Sequence, residues 1–135
     1  MQDYVVTVSS RDCFYKAIAY IAASLLKRDG TSLVFLPGKS EIEEVSRILV
    51  DELQIPNDKV HKLHSDLDET TKNRVVRAFR EARIVLATSL AQTSLTVPDV
   101  DYVMVRQCFR FSLWLSLSQS DIIWFRFCSM RKQTN

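Results

Sequence analysis

The hydrophobic positions of the chain follow two patterns, short apolar runs and longer segments with an apolar residue at every third or fourth position. The first pattern is typical of buried strands, and the second of helices that bury one face. The two patterns alternate along the first 105 residues. They predict five strands, at residues 4–8, 33–36, 60–63, 83–87 and 102–105.

Three helices are predicted in the segments between these strands. Ser10 is a candidate N-cap of the first helix, which ends near Gly30. Ser40 and Glu43 have the spacing of a capping box at the start of the second helix. Asp68 is a candidate N-cap of the third.

Strands that alternate with helices predict an α/β fold, with right-handed crossovers and a parallel sheet that carries helices on both faces. Ligands of such sheets bind at the carboxyl ends of the strands. Pro37 and Gly38 follow the second predicted strand, and Thr88 and Ser89 follow the fourth. We therefore expect these two loops to line one crevice.

The residues of these loops resemble motifs of the DEAH-box RNA helicases. Residues 88–96 read Thr-Ser-Leu-Ala-Gln-Thr-Ser-Leu-Thr and resemble motif V, while residues 35–42 read Phe-Leu-Pro-Gly-Lys-Ser-Glu-Ile and are similar to motif IV. Residues 62–67 resemble the family's segment after the third strand. The resemblance covers about residues 15–104 and implies a RecA-like three-layer fold, the second lobe of a P-loop NTPase-type helicase.

The resemblance implies two sets of contact residues, one for RNA and one for nucleotide. The residues implied for the RNA backbone are Gly38, His64, Ser65, Thr88 and Ser89. Ser94 and Thr96, later in motif V, are implied to face ATP between the lobes. No catalytic residue and no metal ligand is predicted in the chain. A loop that binds RNA at one end and nucleotide at the other can couple the two ligands.

Each of these assignments has a structural alternative. Gly38 would also suit a plain turn from strand to helix. His64 and Ser65 would also serve to cap the helix that follows them. The hydroxyl-rich segment from Thr88 onward would also be explained as a structural turn.

The spacing of the residues disfavours two other kinds of site, a phosphate loop and a metal site. Residues 38–40 read Gly-Lys-Ser, but the earlier glycine of a phosphate loop is replaced by Leu33, which lies in a predicted strand. Without that glycine loop there is no nest of amides around a triphosphate. His61 and His64 are three residues apart on a strand and therefore face opposite sides, which disfavours a shared metal.

Four positions depart from the family's motifs: Ser89, Gln92, Pro98 and Val105 stand where Asn, Glu, an acid and Asp are usual. These replacements weaken the implied coupling to ATP. The chain also has no acidic box, and nothing in residues 106–135 matches motif VI, which carries the arginine fingers. We therefore expect a lobe truncated before motif VI, which uses ATP with Mg only together with a first RecA-like lobe and is inactive alone.

Charge is distributed unevenly along the chain. The net charge of +2 combines −2 over residues 1–105 with +4 over residues 106–135. The body is not a basic clamp, so RNA would be held by amides and hydroxyls. The three cysteines form no CxxC pair, and there is neither a leader nor an uninterrupted apolar span. We expect an intracellular protein of the nucleus or cytoplasm that does not contact membrane.

The chain is predicted to have two parts, an incomplete helicase C-terminal lobe (residues 1–105) and an aromatic-rich tail (residues 106–135). Six of the 13 aromatic residues lie between Phe109 and Phe127, where extra strands or a partner surface are both consistent with the pattern. The predicted function is that of a fragment of an ATP-dependent DEAH-box RNA helicase, contributing RNA backbone contacts and part of the interlobe ATP site. The alternative is a non-catalytic interaction module or decoy that keeps the fold and binds a protein partner through the tail.

Overall fold

The computed structural model of the protein describes residues 3–64, 67–77, 81–88, 100–106 and 121–127. The strands are β1 (Asp3–Val8), β2 (Ser32–Phe35), β3 (Val60–Leu63), β4 (Ile84–Ala87), β5 (Tyr102–Arg106) and β6 (Asp121–Phe127). The helices are α1 (Arg11–Lys27), α2 (Lys39–Arg47) and α3 (Glu69–Val76), with a π-helical turn at Ile48–Glu52 and a 3-10 helix at Asn57–Lys59. Within these ranges no helix combines the length and the apolar composition needed to cross a membrane.

The six described strands form one sheet in the order β1-β6-β5-β2-β4-β3, and every neighbouring pair is parallel. Side chains on opposite faces of this sheet belong to two separate apolar cores. The first packs against α1 and α2 and includes Val34, Leu86 and Met104. The second includes Val85 and also Val75 of α3. Burial on both faces explains the nearly continuous apolar strands and confirms the predicted α/β class.

Two of the predicted helix caps are confirmed. The Ser10 hydroxyl accepts a hydrogen bond from the backbone N–H of Cys13 (3.2 Å) at the start of α1. The Asp68 carboxylate accepts one from the N–H of Thr71 (2.8 Å) at the start of α3. Hydrogen bonding from Thr71 lowers the pKa of Asp68, because the bond favours the charged carboxylate.

The capping box predicted from Ser40 and Glu43 is wrong. Helix α2 begins at Lys39 with Gly38 as its N-cap, so Ser40 already lies in the first turn. The Glu43 carboxylate instead accepts a hydrogen bond from the Lys62 ammonium on β3 (2.9 Å). An ion pair between two elements has therefore replaced the local contact that the spacing suggested.

Strand β6 lies inside the sheet, between β1 and β5. Its Ile123 and Phe125 side chains are buried, and the Phe125 ring meets Phe14 of α1 edge-on with centroids 5.6 Å apart. The sequence prediction ended the core at Val105, so the structure differs from it at residues 121–127. A parallel strand pairs with strands that are distant along the chain, and local patterning carries no signal of that pairing. A division of the chain at residue 105 stays a prediction.

We predict that Phe125→Ala lowers the free energy of unfolding by about 3–5 kcal/mol, the range for truncating a buried phenylalanine. The ring is 1% exposed and packs against α1. Urea denaturation of both proteins measures the difference. Tyr20→Ala is the control, because Tyr20 is 53% exposed and its loss should change stability by about 0.5 kcal/mol or less. Equal stability of Phe125→Ala and the unaltered chain would place residues 121–127 outside the core.

Candidate functional site

The carboxyl ends of β2, β4 and β3 lie side by side. Ala87, the last residue of β4, is in register with Phe35 at the end of β2 and with Leu63 at the end of β3. Neighbouring strands are about 4.8 Å apart. The residues that follow these three strands therefore emerge next to one another at a single edge of the sheet.

Hydrogen bonds continue the sheet for one residue beyond the strands. The N–H of Leu36 donates to the carbonyl of Ala87 (2.8 Å), and the N–H of Thr88 donates to the carbonyl of Leu63 (3.2 Å). Thr88 is half-buried and its main-chain N–H is already engaged. The position of Thr88 at this edge is therefore set by the sheet.

Gly38 lies at this edge as the N-cap of α2. Its backbone is extended (φ −161°, ψ −177°), a conformation that any residue adopts, so the strand-to-helix turn does not require glycine. A Cβ built on Gly38 would lie 3.0 Å from Oε1 of Glu41, the movable end of a long side chain. The structure thus removes the conformational explanation for this glycine. Glycine is also among the residues favoured at a helix N-cap, and the RNA role of Gly38 stays a prediction.

The N-terminus of α2 suits an anion. Gly38 has no side chain that could cap the first N–H groups of the helix, and helix N-termini favour anions. The one acid in the first turn is Glu41, which accepts a long hydrogen bond from the Ser40 hydroxyl (3.4 Å). A phosphate at Gly38 would require the Glu41 carboxylate to swing away.

His64 follows β3 at the same edge, but its side chain is buried, with 6% exposed. Its carbonyl accepts a hydrogen bond from the N–H of Leu67 (3.2 Å), which turns the chain toward α3. The structure therefore brings together the backbone of Gly38, Thr88 and His64, while little of the imidazole faces outward. The RNA role of His64 stays a prediction.

The other residues implied by the family resemblance lie outside the described part of the chain: Ser65, Ser89, Ser94 and Thr96. Their RNA and nucleotide roles remain predictions. Within the described ranges, no group of three or more His, Cys, Asp or Glu side chains is arranged to hold a metal ion.

Sequence reasoning missed one residue that positions this edge. Arg83 precedes β4, is buried, and donates hydrogen bonds to the carbonyls of Val75 and of Arg77 (3.0 Å for the latter) at the end of α3. The N–H of Arg83 also donates to the Thr31 hydroxyl (3.3 Å). These bonds fix the end of α3 to the beginning of β4, the strand that precedes Thr88. Burial, together with the charge of Arg83, lowers the pKa of His61 on β3.

The model of a protein family, the helicase conserved C-terminal domain, matches residues 14–120 of the chain. The ATP-dependent RNA helicase HrpA of Escherichia coli (strain K12) is 37% identical over 75 residues, which are 56% of this chain and 6% of HrpA. The ATP-dependent DNA/RNA helicase DHX36 of Homo sapiens is 35% identical over 91 residues, which are 64% of this chain and 9% of DHX36. The chain thus spans less than a tenth of the length of these relatives.

The fold is also similar to that of a solved helicase domain. The structure of "Mss116p DEAD-box helicase domain 2 bound to an RNA duplex" superimposes with a TM-score of 0.66 at 14% identity, covering 93% of this chain and 54% of that one. This match confirms the predicted RecA-like fold. The family model and the relatives favour the helicase fragment over the interaction module.

We predict that Arg83→Lys lowers the free energy of unfolding by about 2 kcal/mol, because one ammonium cannot reproduce a guanidinium fork that reaches two carbonyls. Thermal and urea unfolding measure the loss. Arg47→Lys is the control, since the Arg47 side chain is 49% exposed in its ion pair with Glu44 and the change should have little effect. If the two variants were equally stable, Arg83 would not brace α3.

Proposed function

The chain belongs to the helicase conserved C-terminal domain family, and we propose that it holds an RNA backbone at the carboxyl edge of its sheet. It is a fragment that matches DEAH-box ATP-dependent RNA helicases. The observation that supports this proposal most is the register of β2, β4 and β3, which ends all three strands abreast. The same register supports a site in which the residues after β2 and β4, Gly38 and Thr88 among them, act together on one ligand.

RNA would be held here by its phosphates. The amides at Gly38 and the start of α2 and the hydroxyl of Thr88 are neutral donors, with Ser65, Ser89 and His64 as the further proposed contacts. The nearby lysine on β3, Lys62, is paired with Glu43 and adds no unbalanced charge. Contacts to phosphates do not distinguish one base from another, and uncharged donors displace few counterions. We therefore expect weak binding without sequence preference and with a shallow dependence on salt. This mode suits a protein of the cell interior, nuclear or cytoplasmic, that moves along a strand.

The segment that resembles motif V, residues 88–96, would connect the RNA site to the nucleotide site. We assign Ser94 and Thr96 to an ATP site that is completed by a first RecA-like lobe, with Mg bound alongside the nucleotide. When bound, ATP would supply the phosphoanhydride bond whose hydrolysis drives the motor. Thr88, anchored to β3 through the Leu63 carbonyl, fixes one end of the loop. A loop fixed at its RNA end can transmit a change at its nucleotide end.

We predict that Thr88→Val weakens RNA binding by about 1 kcal/mol, the scale of one net hydrogen bond, and by up to about 3 kcal/mol if the acceptor is a charged phosphate. Valine keeps the shape and β-branching of threonine, so the fold should persist. Fluorescence anisotropy with a labelled oligouridine and thermal melts measure the two effects. Unchanged affinity with a lower melting temperature would make Thr88 a structural turn residue.

The two glycines of the chain should respond oppositely to replacement by alanine. At Gly38 the new methyl meets only the movable Glu41 carboxylate, so stability should hold while RNA affinity falls by about 1 kcal/mol. At Gly30 the methyl would lie 2.8 Å from the Tyr102 ring and 3.2 Å from the Leu25 carbonyl, so stability should fall instead.

Urea unfolding and the same RNA titration separate these two effects. Loss of stability in Gly38→Ala at unchanged RNA affinity would return Gly38 to a purely structural role. The Gly30→Ala variant shows how the assay reports a glycine that is required for packing.

We predict that the 135-residue chain alone hydrolyses no ATP, with or without RNA. Its sequence contains no phosphate loop, no acidic box and no arginine-finger motif, and such fingers raise the rate of phosphoryl transfer by orders of magnitude. A phosphate-release assay on stringently purified protein tests this expectation. RNA-stimulated turnover that persists through purification would contradict it.

A further inference from the structure

Two adjacent residues of β1 expose large apolar side chains. Among the side chains that the structure describes, the exposed large hydrophobic ones are Tyr4 (44%) and Val5 (53%) on β1 and Tyr20 (53%) on α1. β1 pairs with β6 on one side, and no described strand pairs with its outer side. Its backbone groups on that side are a template for one more strand.

This edge has few of the devices that usually protect edge strands. Its one charged residue is Asp3 at the start of β1, and residues 4–8 read Tyr-Val-Val-Thr-Val, without charge, proline or glycine. The opposite edge strand, β3, carries a charge within the strand, Lys62, whose side chain is 34% exposed and paired with Glu43. The uncharged run of β1 is therefore suited to pairing.

An apolar groove runs beside β1 beneath the second half of α1. It is lined by Tyr4, Val6, Ile21, Leu25, Tyr102 and Ile123. Its volume of about 280 Å³ is at the lower limit of small-molecule pockets and leaves room for a few side chains of a bound segment. Alternate residues of an added strand would point toward this groove.

One end of the groove is acidic. Arg28 and Tyr102 also line an adjoining polar depression, together with Asp29, Asp101 and Asp121. Three carboxylates against one guanidinium give this corner a net negative charge at neutral pH. It lies at the amino ends of β5 and β6, whereas Gly38 and Thr88 lie at the carboxyl ends of the strands.

We propose that β1 accepts an extended segment of a protein partner as a seventh strand. Alternate apolar side chains of the segment fill the groove, and a basic residue at one of its ends reaches the acidic corner. Strand addition of this kind takes affinity from main-chain bonds and specificity from the side-chain pockets. A second copy of this chain fits less well, because its own β1 contains one acid, Asp3, and no base.

The probes are two labelled octapeptides of alternating valine and threonine, with a Lys-Arg pair at the amino end of one and at the carboxyl end of the other. The two peptides cover both strand directions. We expect one of them to bind the 135-residue chain in fluorescence anisotropy titrations. Exchanging Lys-Arg for Glu-Glu should weaken that binding at least tenfold, and a saturating oligouridine should not displace the peptide.

Matched variants locate the site on the protein. Tyr4→Ala should weaken peptide binding at least fivefold, whereas Tyr20→Ala removes a similarly exposed ring outside the groove lining and should leave binding unchanged. Asp29→Asn should weaken it a few-fold without strain, because asparagine tolerates the left-handed backbone found there (φ 64°). Urea unfolding of each variant confirms an intact fold.

Methylation of every second backbone nitrogen of the peptide tests the main-chain hydrogen bonds. The methyl groups can start at the first or the second residue, which gives two registers. One register should abolish binding and the other should preserve it. The proposal is overturned if neither peptide binds, if both methylated registers bind equally, or if Tyr4→Ala and Tyr20→Ala have the same effect. It is also overturned if sedimentation shows a dimer that Tyr4→Ala makes monomeric, because the occupant would then be a second copy.

Discussion

The pairing of β4 with β2 on one side and β3 on the other is the constraint on which the candidate site depends. All four residues of β4 are buried, so a shift of register would move apolar side chains between the two cores. Hydrogen bonds from Leu36 to Ala87 and from Thr88 to Leu63 carry the pairing past the strand ends. The residues that directly follow β2 and β4, Leu36 and Thr88, are therefore positioned by the sheet.

Elements far from this edge support the same pairing. Arg83 joins the end of α3 to the beginning of β4 by hydrogen bonds to the carbonyls of Val75 and Arg77. Phe125 of β6 packs against α1 and closes the other half of the sheet. The site proposed for RNA lies at the carboxyl ends of β2, β4 and β3, and the site proposed for a partner segment lies along the outer side of β1. Both sites therefore belong to one continuous sheet.

Local sequence signals predicted the elements whose causes are local. The strand at residues 60–63 and the caps at Ser10 and Asp68 depend on neighbours in the chain, and they were placed correctly. Strand β6 depends on partners more than a dozen residues away, and its pattern alone did not reveal it. The capping box at Ser40 was wrong because Glu43 pairs across space with Lys62.

The candidate site was predictable to a similar extent. Motif resemblance identified Gly38 and Thr88, and the alternation of strands and helices predicted that they share an edge. Neither signal revealed that His64 is buried or that the turn at Gly38 needs no glycine, because burial and backbone angles are set by tertiary packing. Arg83 was missed for the same reason, since its hydrogen-bond partners belong to another element.

The central claim is that RNA is held at the carboxyl edge of the sheet, and amide chemical shifts test it most directly. The measurement is a titration of the ¹⁵N-labelled chain with an unlabelled oligouridine, followed in two-dimensional NMR spectra. The account predicts the largest shift changes at Gly38, Lys39 and Thr88, with Gly30 and Tyr102 at the opposite edge unchanged. Shift changes confined to the opposite edge, with none at Gly38 or Thr88, would contradict it.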